Sequence, residues 1–440
     1  MKGLHMHLPE PSFDLVIGMD RSDRKVNLHQ LDLLSHQEHS SVLSTDPAAL
    51  QTWAADLRER FPKHRAAVVF EQPANNLIGF LSRYDWITLY PINPISLQKF
   101  RETFVVSRAN DDAKDATFLA RLLATHGREF RPWSREDPIT AQLQRLVVDR
   151  RHVVDHRTGL GNRLQALLKD YFPQALDLIG EEVFRPIATA FLKRWPTLQS
   201  VQKATPETLR KFYYAQGSRR EPLFQKRLER IRSAVPLTDD PGVINSYVLR
   251  TRLTVEELEH ATRTVKNYDR QIALCFAQHP EHWLFANLPG AGAVFAPRLL
   301  ASFGTQRERY ATAANFQCAS GIAPVTKQSG KKRHVHRRYR CSEFFKQSFH
   351  EWAAESRFFS GWAQAYDQMK RAGGMGHHAA VRSLAYKWIR VVWRCWQDRT
   401  VYEEAKYLAA LRKSGSPVIA WMEKNPTEVR PGKQRERATH

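Results

Sequence analysis

LVIGMD at residues 15–20 and AAVVFE at residues 66–71 are the stretches that most strongly indicate the fold of the first part of this chain. Each is a short apolar run with the length of a buried strand, and each is closed by an acid. Strand-like and helix-like stretches alternate around the two runs. The strands are predicted at 15–19, 25–31, 64–70 and 86–90, and the helices at 47–61, 75–84 and 96–104. This order predicts an α/β domain over residues 1–130.

The composition indicates a folded and strongly basic protein. The chain has 440 residues, of which 42% are hydrophobic, and this is enough apolar material to fill real cores. Its formal net charge is +22 and its sequence pI is about 10.0. A positive field favours a polyanionic partner, DNA or RNA, although ribosome-associated and membrane-surface proteins can have the same excess of positive charge.

The sequence has no segment typical of a membrane protein. No apolar run approaches the roughly 20 residues that a membrane helix needs, and the first residues lead into polar, proline-containing sequence. We therefore expect a cytoplasmic protein without a membrane partner. The four cysteines are far apart, which indicates neither a disulfide framework nor a zinc ribbon. A zinc site is the alternative, with a spacing that fits no usual ligand pattern: Cys318, His334, His336 and Cys341.

Long helical periodicity begins after Pro138. One apolar seam recurs every seven residues, with two further leucines between: Ile139, Leu143, Leu146, Val153, Leu160, Leu164 and Leu167. A second seam alternates at three and four residues: Leu258, Ala261, Val265, Tyr268, Ile272 and Cys275. Residues 131–280 are thus predicted to be a helical, coiled-coil linker that pairs as an antiparallel stalk or dimerises. Two core helices of an ordinary helical domain explain the pattern equally well.

Four acids of the first domain form a candidate metal site. Asp20 and Glu71 close the two apolar strands, where open α/β sheets build their sites. Asp112 and Asp115 begin a helical stretch, and their spacing puts both on one helix face. Asp20 or Glu71 alone is better explained as a loop charge or a helix cap, and the alternative for Asp112 and Asp115 is the charged first turn of a helix. Together, four carboxylates can hold two divalent cations about 4 Å apart, the arrangement that promotes phosphodiester cleavage.

The order of these acids resembles the RuvC-type branch of the ribonuclease-H fold. More specifically, IGMD at 17–20, FE at 70–71 and DAKDA at 112–116 resemble the DEDD transposases, insertion-sequence family one-hundred-and-ten, which include the Piv-type DNA invertases. The resemblance implies a RuvC-like domain whose acids bind Mg²⁺ or Mn²⁺. Two positions depart from the family pattern, because Asp111 replaces the usual threonine before the third acid and Gln72 begins an altered loop after Glu71.

The third segment, residues 281–411, is predicted to be a mainly helical domain that begins with a glycine-rich turn. LPGAGAVFAPRLL at 288–300 resembles a helix-hairpin-helix, in which Gly290 and Gly292 free backbone N–H groups to face a nucleic-acid phosphate. A glycine-rich helix connection without a ligand is the alternative. Beyond about Leu411 the periodicity fades, so residues 412–440 are predicted to be a mobile tail.

A serine in a basic loop is the candidate nucleophile. GIAP at 321–324 followed by Ser329 and Gly330 resembles the second signature of the same family, and residues 380–387 resemble its closing helix. The resemblance implies that Ser329 attacks DNA covalently, with Ser320 as the rival within the motif. Metals of the acidic domain can activate the hydroxyl if the two domains meet. The basic side chains expected to hold the phosphodiester are Lys327, Lys331, Lys332, Arg333, Arg337, Arg338 and Arg340.

The resemblance implies a DNA recombinase, the transposase of an insertion sequence, that acts on donor and target DNA. It further implies a structured non-coding bridge RNA as guide and a homo-oligomer, a dimer or tetramer. The sequence contains no P-loop, in accord with strand exchange that conserves the phosphodiester energy. Two alternatives stay open. One is a metal-dependent junction nuclease without a covalent intermediate, and the other is a non-catalytic scaffold that binds nucleic acid.

Overall fold

The structure is a computed structural model that describes residues 13–72, 75–104, 112–180, 182–330, 332–339 and 341–426, with the backbone alone at 75, 76, 112 and 113. The chain divides into two compact units, residues 1–135 and residues 136–440. No helix in the described ranges is long and apolar enough to cross a membrane.

The first unit is built on a five-stranded sheet. The strands are β1 (Leu15–Arg21), β2 (Lys25–Asp32), β3 (Glu38–Ser44), β4 (Ala66–Glu71) and β5 (Ile87–Ile92), and the helices are α1 (Pro47–Arg60), α2 (Asn75–Leu81), α3 (Pro94–Glu102) and α4 (Asp112–His126). The strand order is β3-β2-β1-β4-β5. The first three strands form an antiparallel meander, whereas β4 and β5 run parallel to β1. The expected α/β class of this domain is confirmed.

Side chains alternate between two apolar layers across this sheet. Leu15, Ile17 and Met19 of β1 belong to one buried cluster together with Leu57 of α1. Val16 belongs to a second cluster on the opposite face, which contains the buried side chains of α4. Strand β3 was not predicted, since all of its side chains are exposed or half-buried and it therefore lacks the apolar run of a core strand.

The second unit is mostly helical, as predicted. Its helices are α5 (Pro138–Tyr171), α6 (Gln174–Ile179), α7 (Pro186–Arg194), α8 (Leu198–Gln202), α9 (Pro206–Ala215), α10 (Glu221–Ser233), α11 (Pro241–Gln278), α12 (His282–Ala286), α13 (Gly292–Phe303), α14 (Ala313–Ala319), α15 (Glu343–Ser356), α16 (Gly361–Ala372), α17 (His377–Asp398), α18 (Glu404–Lys413) and α19 (Pro417–Lys424). A two-stranded antiparallel sheet is formed by β6 (Val325–Ser329) and β7 (Lys332–His336).

Helices α5 and α11 pack against each other in antiparallel directions. Thr140 at the start of α5 hydrogen-bonds His279, just after α11, over 2.8 Å. At the other end, Tyr171 donates a hydrogen bond to Thr251 over 3.2 Å. The two ends of α5 enter different hydrophobic cores, one with α12–α19 and one with α6–α10. Residues 148–159, all of them described, include no buried side chain and span the distance between the cores.

The structure differs from the predicted mobile tail at residues 417–424. Helix α19 forms there, and its Val418 is buried in the core that contains α13, α15 and α17. A single turn of apolar side chains is enough to dock this helix, and so short a pattern did not stand out in the sequence. Residues 427–440 of the predicted tail lie outside the described residues.

Candidate active site

Asp20 and Glu71 lie side by side at the carboxyl ends of two parallel strands. The register pairs Met19 with Phe70, and the two acids follow these residues directly. By the alternation of side chains, Asp20 shares a face with Val16 and Gly18, and Glu71 shares that face with Val69. This is the face covered by α4. Both acids are half-buried.

Gly18 allows α4 to lie directly on β1. A Cβ atom at this position would overlap the backbone carbonyl of Ala116 and come within 2.7 Å of the backbone nitrogen of Ala120. Real side chains are not found at such separations from backbone, so only glycine permits this approach. The close packing fixes the height of α4 above the strand ends, and it thereby positions the first turn of the helix, which carries Asp112 and Asp115.

Arg101 of α3 forms an ion pair with Asp115. One of its terminal nitrogens, Nη1, donates to both carboxylate oxygens of Asp115, at 3.0 Å and 3.1 Å. Each of the two side chains is only 19% exposed. Arg101 was not predicted from the sequence, because nothing in the local pattern of α3 distinguishes it from any other basic residue in the last turn of a helix.

The charges of Asp115 and Arg101 also act on Glu71. Burial raises the pKa of its carboxyl above the ordinary value, the nearby Asp115 raises it further, and Arg101 lowers it. Glu71 and Asp115 are therefore a like-charge pair that a divalent cation would relieve, and carboxylate oxygens are the ligands that Mg²⁺ prefers. The side chain of Asp112 lies outside the described residues, and within the described ones no three His, Cys, Asp or Glu side chains are grouped to hold a metal ion.

Ser329 is the last residue of β6, beside the turn of an exposed hairpin. It pairs across the hairpin with Lys332, and Gly330 adopts a φ of 55° in the turn. Residues directly opposite one another share a face of a hairpin, so Ser329 lies on the face of Lys327, Lys332 and His334. Arg333 pairs with Gln328 and belongs to the other face. Lys331 and Arg340 lie outside the described residues.

Ser320, the rival serine, lies in a different environment. Its side chain is fully buried at the end of α14, and its Oγ donates to the carbonyl of Gln317 over 3.0 Å. A phosphodiester cannot reach this hydroxyl while α14 is folded. Arg338 ties the base of the hairpin to the preceding loop through the carbonyl of Ala323, at 3.4 Å, and the guanidinium of Arg337 stacks on the exposed Tyr339.

The glycine-rich turn packs against α15. Both glycines have positive φ, 69° at Gly290 and 48° at Gly292. Trp352 of α15 donates a hydrogen bond to the carbonyl of Pro289 over 2.9 Å, and a Cβ at Gly290 would come within 3.0 Å of the Phe359 ring. Gly290 therefore serves close packing, whereas the space beside Gly292 is open.

Two family models match the chain on either side of its central helices. A model for DEDD transposases of the IS110 family matches residues 17–173. A model described as the transposase IS116/IS110/IS902 family matches residues 283–368. The first match contains all four candidate acids, and the second contains Ser329. Helices α6–α11 lie outside both matches.

Curated relatives extend over most of the chain. A Streptomyces coelicolor protein assigned as the mini-circle transposase for IS117 is 25% identical over 334 residues, which are 74% of this chain and 80% of the relative. A 43.6 kDa protein of insertion element IS110 from the same species is 26% identical and covers 67% of this chain and 72% of its own length. A 44.8 kDa protein of insertion element IS116 from Streptomyces clavuligerus is also 26% identical, over 67% of this chain and 73% of the relative.

Proposed function

Because this chain belongs to the IS110 family of transposases, we propose that it is the DNA recombinase of an insertion sequence, with a carboxylate metal site and a serine nucleophile. Membership of the family implies DNA binding, DNA cleavage and strand transfer. The observation that carries the proposed site is the position of Asp20 and Glu71, side by side at the ends of neighbouring parallel strands on the face covered by α4. Asp115 lies in the first turn of α4, which Gly18 allows to pack directly on β1. The mixed sheet is consistent with a ribonuclease-H-like domain.

Asp20, Glu71, Asp112 and Asp115 are the proposed ligands of the divalent metal, Mg²⁺ or Mn²⁺. When bound, the metal supplies charge neutralisation at the scissile phosphate and lowers the pKa of an oxygen nucleophile. The protein's part is to fix the carboxylates: β1 and β4 hold Asp20 and Glu71 rigidly, and α4, seated on Gly18, holds Asp115.

Ser329 is the proposed nucleophile. Its Oγ forms a bond to phosphorus, and the bond from phosphorus to the leaving oxygen of the DNA breaks. The proton lost by the serine hydroxyl ends on that leaving oxygen, which becomes a free DNA hydroxyl, so that the phosphodiester energy is kept for religation. Its exposure on a hairpin supports this role, since DNA can approach it without unfolding. Residues 325–336 contain no acid, and Lys327 and Lys332 share the face of Ser329, which favours an approaching phosphate. The burial of Ser320 supports the same choice.

The nucleic-acid partners follow from charge and family. A net charge of +22 suits donor DNA, target DNA and a structured bridge RNA together. Further basic contacts are proposed from Lys331, Arg333, Arg337, Arg338 and Arg340, and from the turn at Gly290 and Gly292. Residues 1–130 are the proposed metal-binding domain, 131–280 a linker that dimerises, 281–411 the transposase domain and 412–440 its tail.

A covalent adduct is the decisive test. The full-length protein is incubated with Mn²⁺, duplexes carrying the ends of its own element, and the RNA transcribed from the element's non-coding flank, and denaturation-resistant protein–DNA adducts are then measured. We expect Ser329→Ala to abolish the adduct and Thr326→Ala, on the opposite face of the same strand, to keep it. Asp115→Asn and Glu71→Gln should lose cleavage but keep binding. Cleavage without an adduct would favour the junction nuclease, and binding without cleavage the scaffold.

A further inference from the structure

The acidic cluster of the first unit is the proposed ligand set Asp20, Glu71, Asp112 and Asp115. The guanidinium of Arg101 brings a positive charge to this cluster. Arg101 Nη1 contacts both oxygens of Asp115 within 3.1 Å, and the guanidinium also lowers the pKa of Glu71. The guanidinium thus contacts one of the four proposed ligands directly and acts electrostatically on a second. Both partners of the ion pair are largely buried, so water screens it less than it screens a surface pair.

The packing of α3 on α4 fixes the backbone position of Arg101. Phe100 contacts Phe118 edge to face, with ring centroids 6.4 Å apart, and it contacts His126 in the same manner at 5.7 Å. The backbone of Arg101 is therefore held beside α4, whereas its long side chain can change rotamer without moving either helix.

A metal ion and Arg101 require the same carboxylate. Arg101 Nη1 lies almost equally far from the two oxygens of Asp115, at 3.0 Å and 3.1 Å, which is the position between them that a bidentate cation would take. Asp115 therefore cannot chelate a cation from this side while the ion pair is in place. We propose that Arg101 is a built-in counter-ion of the acidic cluster, which orients and neutralises Asp115 until a divalent cation displaces it. Arg101 thus acts as a positioning residue that sets the metal concentration at which the site is loaded. This inference rests on the proposed metal-binding function of the acids.

The direct test is the affinity of the full-length protein for Mn²⁺ alone, measured by calorimetric titration at neutral pH without DNA. Removal of a competing cation should strengthen metal binding, so Arg101→Gln is expected to bind Mn²⁺ about three- to tenfold more tightly than the native chain, the scale of one partly buried ion pair. A merely structural role of Arg101 would weaken metal binding or leave it unchanged.

A second ion pair of the same unit is the matched control. Arg121 of α4 contacts Glu38 at 3.3 Å, with both side chains about half exposed, and neither belongs to the acidic cluster. Arg121→Gln removes one positive charge from the same helix that bears Asp115, and we expect native Mn²⁺ affinity. A gain equal to that of Arg101→Gln would show a general charge effect and overturn the inference.

Two further variants make every outcome decisive. Arg101→Lys keeps the charge but loses the planar guanidinium, and we expect an affinity for Mn²⁺ between those of the native chain and Arg101→Gln; this variant also decides the matter if the glutamine variant does not fold. Asp115→Asn should abolish tight Mn²⁺ binding. If Asp115→Asn binds like the native chain, the proposed metal site is wrong. If it loses binding while neither Arg101 variant gains affinity, only the role of Arg101 is wrong.

Discussion

At the scale of single residues, Gly18 determines how closely α4, which carries Asp115, approaches the strand that carries Asp20. Its neighbours in β1 are apolar side chains that any buried strand could carry, but at this one position the backbone of α4 takes the place of a side chain. Asp20 and Glu71 are fixed by the sheet, whereas Asp115 depends on the height of the helix. A methyl group at residue 18 would therefore affect both stability and the geometry of the site.

We expect Gly18→Ala to destabilise the first unit by about 1–3 kcal/mol, because the new Cβ meets rigid backbone atoms instead of a side chain that can move. The Mn²⁺ affinity should fall in the folded fraction, since Asp115 is pushed away from Glu71. Thermal unfolding and Mn²⁺ titration measure the two effects.

Gly79 provides the control for this substitution. It lies in α2, and an added Cβ there meets no atom within 4 Å. Gly79→Ala should leave Mn²⁺ affinity unchanged and add roughly 0.5–1 kcal/mol of stability through helix propensity. Equal stability of the two alanine variants would contradict the packing argument for Gly18.

At the scale of elements, the start of α5 is secured by one carboxylate. Asp137 caps the helix, accepting hydrogen bonds from the backbone nitrogen of Thr140 at 2.9 Å and from the hydroxyl of Thr305 at 2.9 Å. Burial alone would raise the pKa of Asp137, but the hydrogen bonds from Thr140 and Thr305 outweigh it and hold the pKa below the ordinary value. The cap thus joins α5 to the segment after α13.

Asp137→Asn should reduce the stability of the second unit at neutral pH by roughly 1 kcal/mol, because the charged cap is lost. A carboxylate with a lowered folded-state pKa contributes stability above the unfolded pKa and loses it as pH falls through the folded value. The gap between native and variant should therefore shrink as pH falls below about 4. Urea unfolding of both proteins at neutral pH and at a pH below about 4 measures this difference in the free energy of unfolding.

Asp149 is the control for the cap. It is an exposed aspartate of the same helix, more than two turns beyond the cap. Asp149→Asn should change stability by less than about 0.5 kcal/mol at either pH. If the gap for Asp137→Asn stays constant or widens in acid, the cap does not act through its charge.

At the scale of the whole molecule, charge is the dominant property. Lysine and arginine number 67 against 45 acids. Some of the cations are neutralised within the fold, as Arg298 is by Glu351 at 2.7 Å. Those of the β6–β7 hairpin lie in a stretch without acids, and Lys327 and Lys332 are exposed there. Binding to DNA should therefore depend mainly on phosphate contacts that release counterions.

We expect DNA affinity to fall at least a hundredfold between about 50 mM and 200 mM salt, and the slope of this dependence to decrease when Lys327 and Lys332 are both replaced by alanine. Fluorescence anisotropy with a labelled duplex measures both slopes. Lys211, which lies 3.9 Å from Glu207 on α9, is the control, and its alanine variant should keep the native slope. A flat salt response of the native chain would argue against an electrostatic interface.

Elements with a buried face could be predicted from the sequence, because the spacing of their apolar residues shows the burial. Strands β1, β2 and β4 were predicted to within a few residues, and α1 and the two long helices were predicted from apolar periodicity, because a buried strand or helix face must be apolar at its own spacing. The candidate acids were found for the same reason, since each is a charge at the end of an apolar run or in the first turn of a helix. Strand β3 and helix α19 have too few buried side chains to leave such a pattern.

Which residues contact one another could be learned only from the packing of the elements. Arg101 and Asp115 are 14 residues apart on different helices, and their pairing depends on how α3 and α4 pack. Ser320 and Ser329 belong to one motif, yet the first is buried at the end of a helix and the second is exposed on a hairpin. Local sequence specifies which side chains avoid water, whereas contacts between elements arise from the packing of whole faces, to which distant residues contribute together.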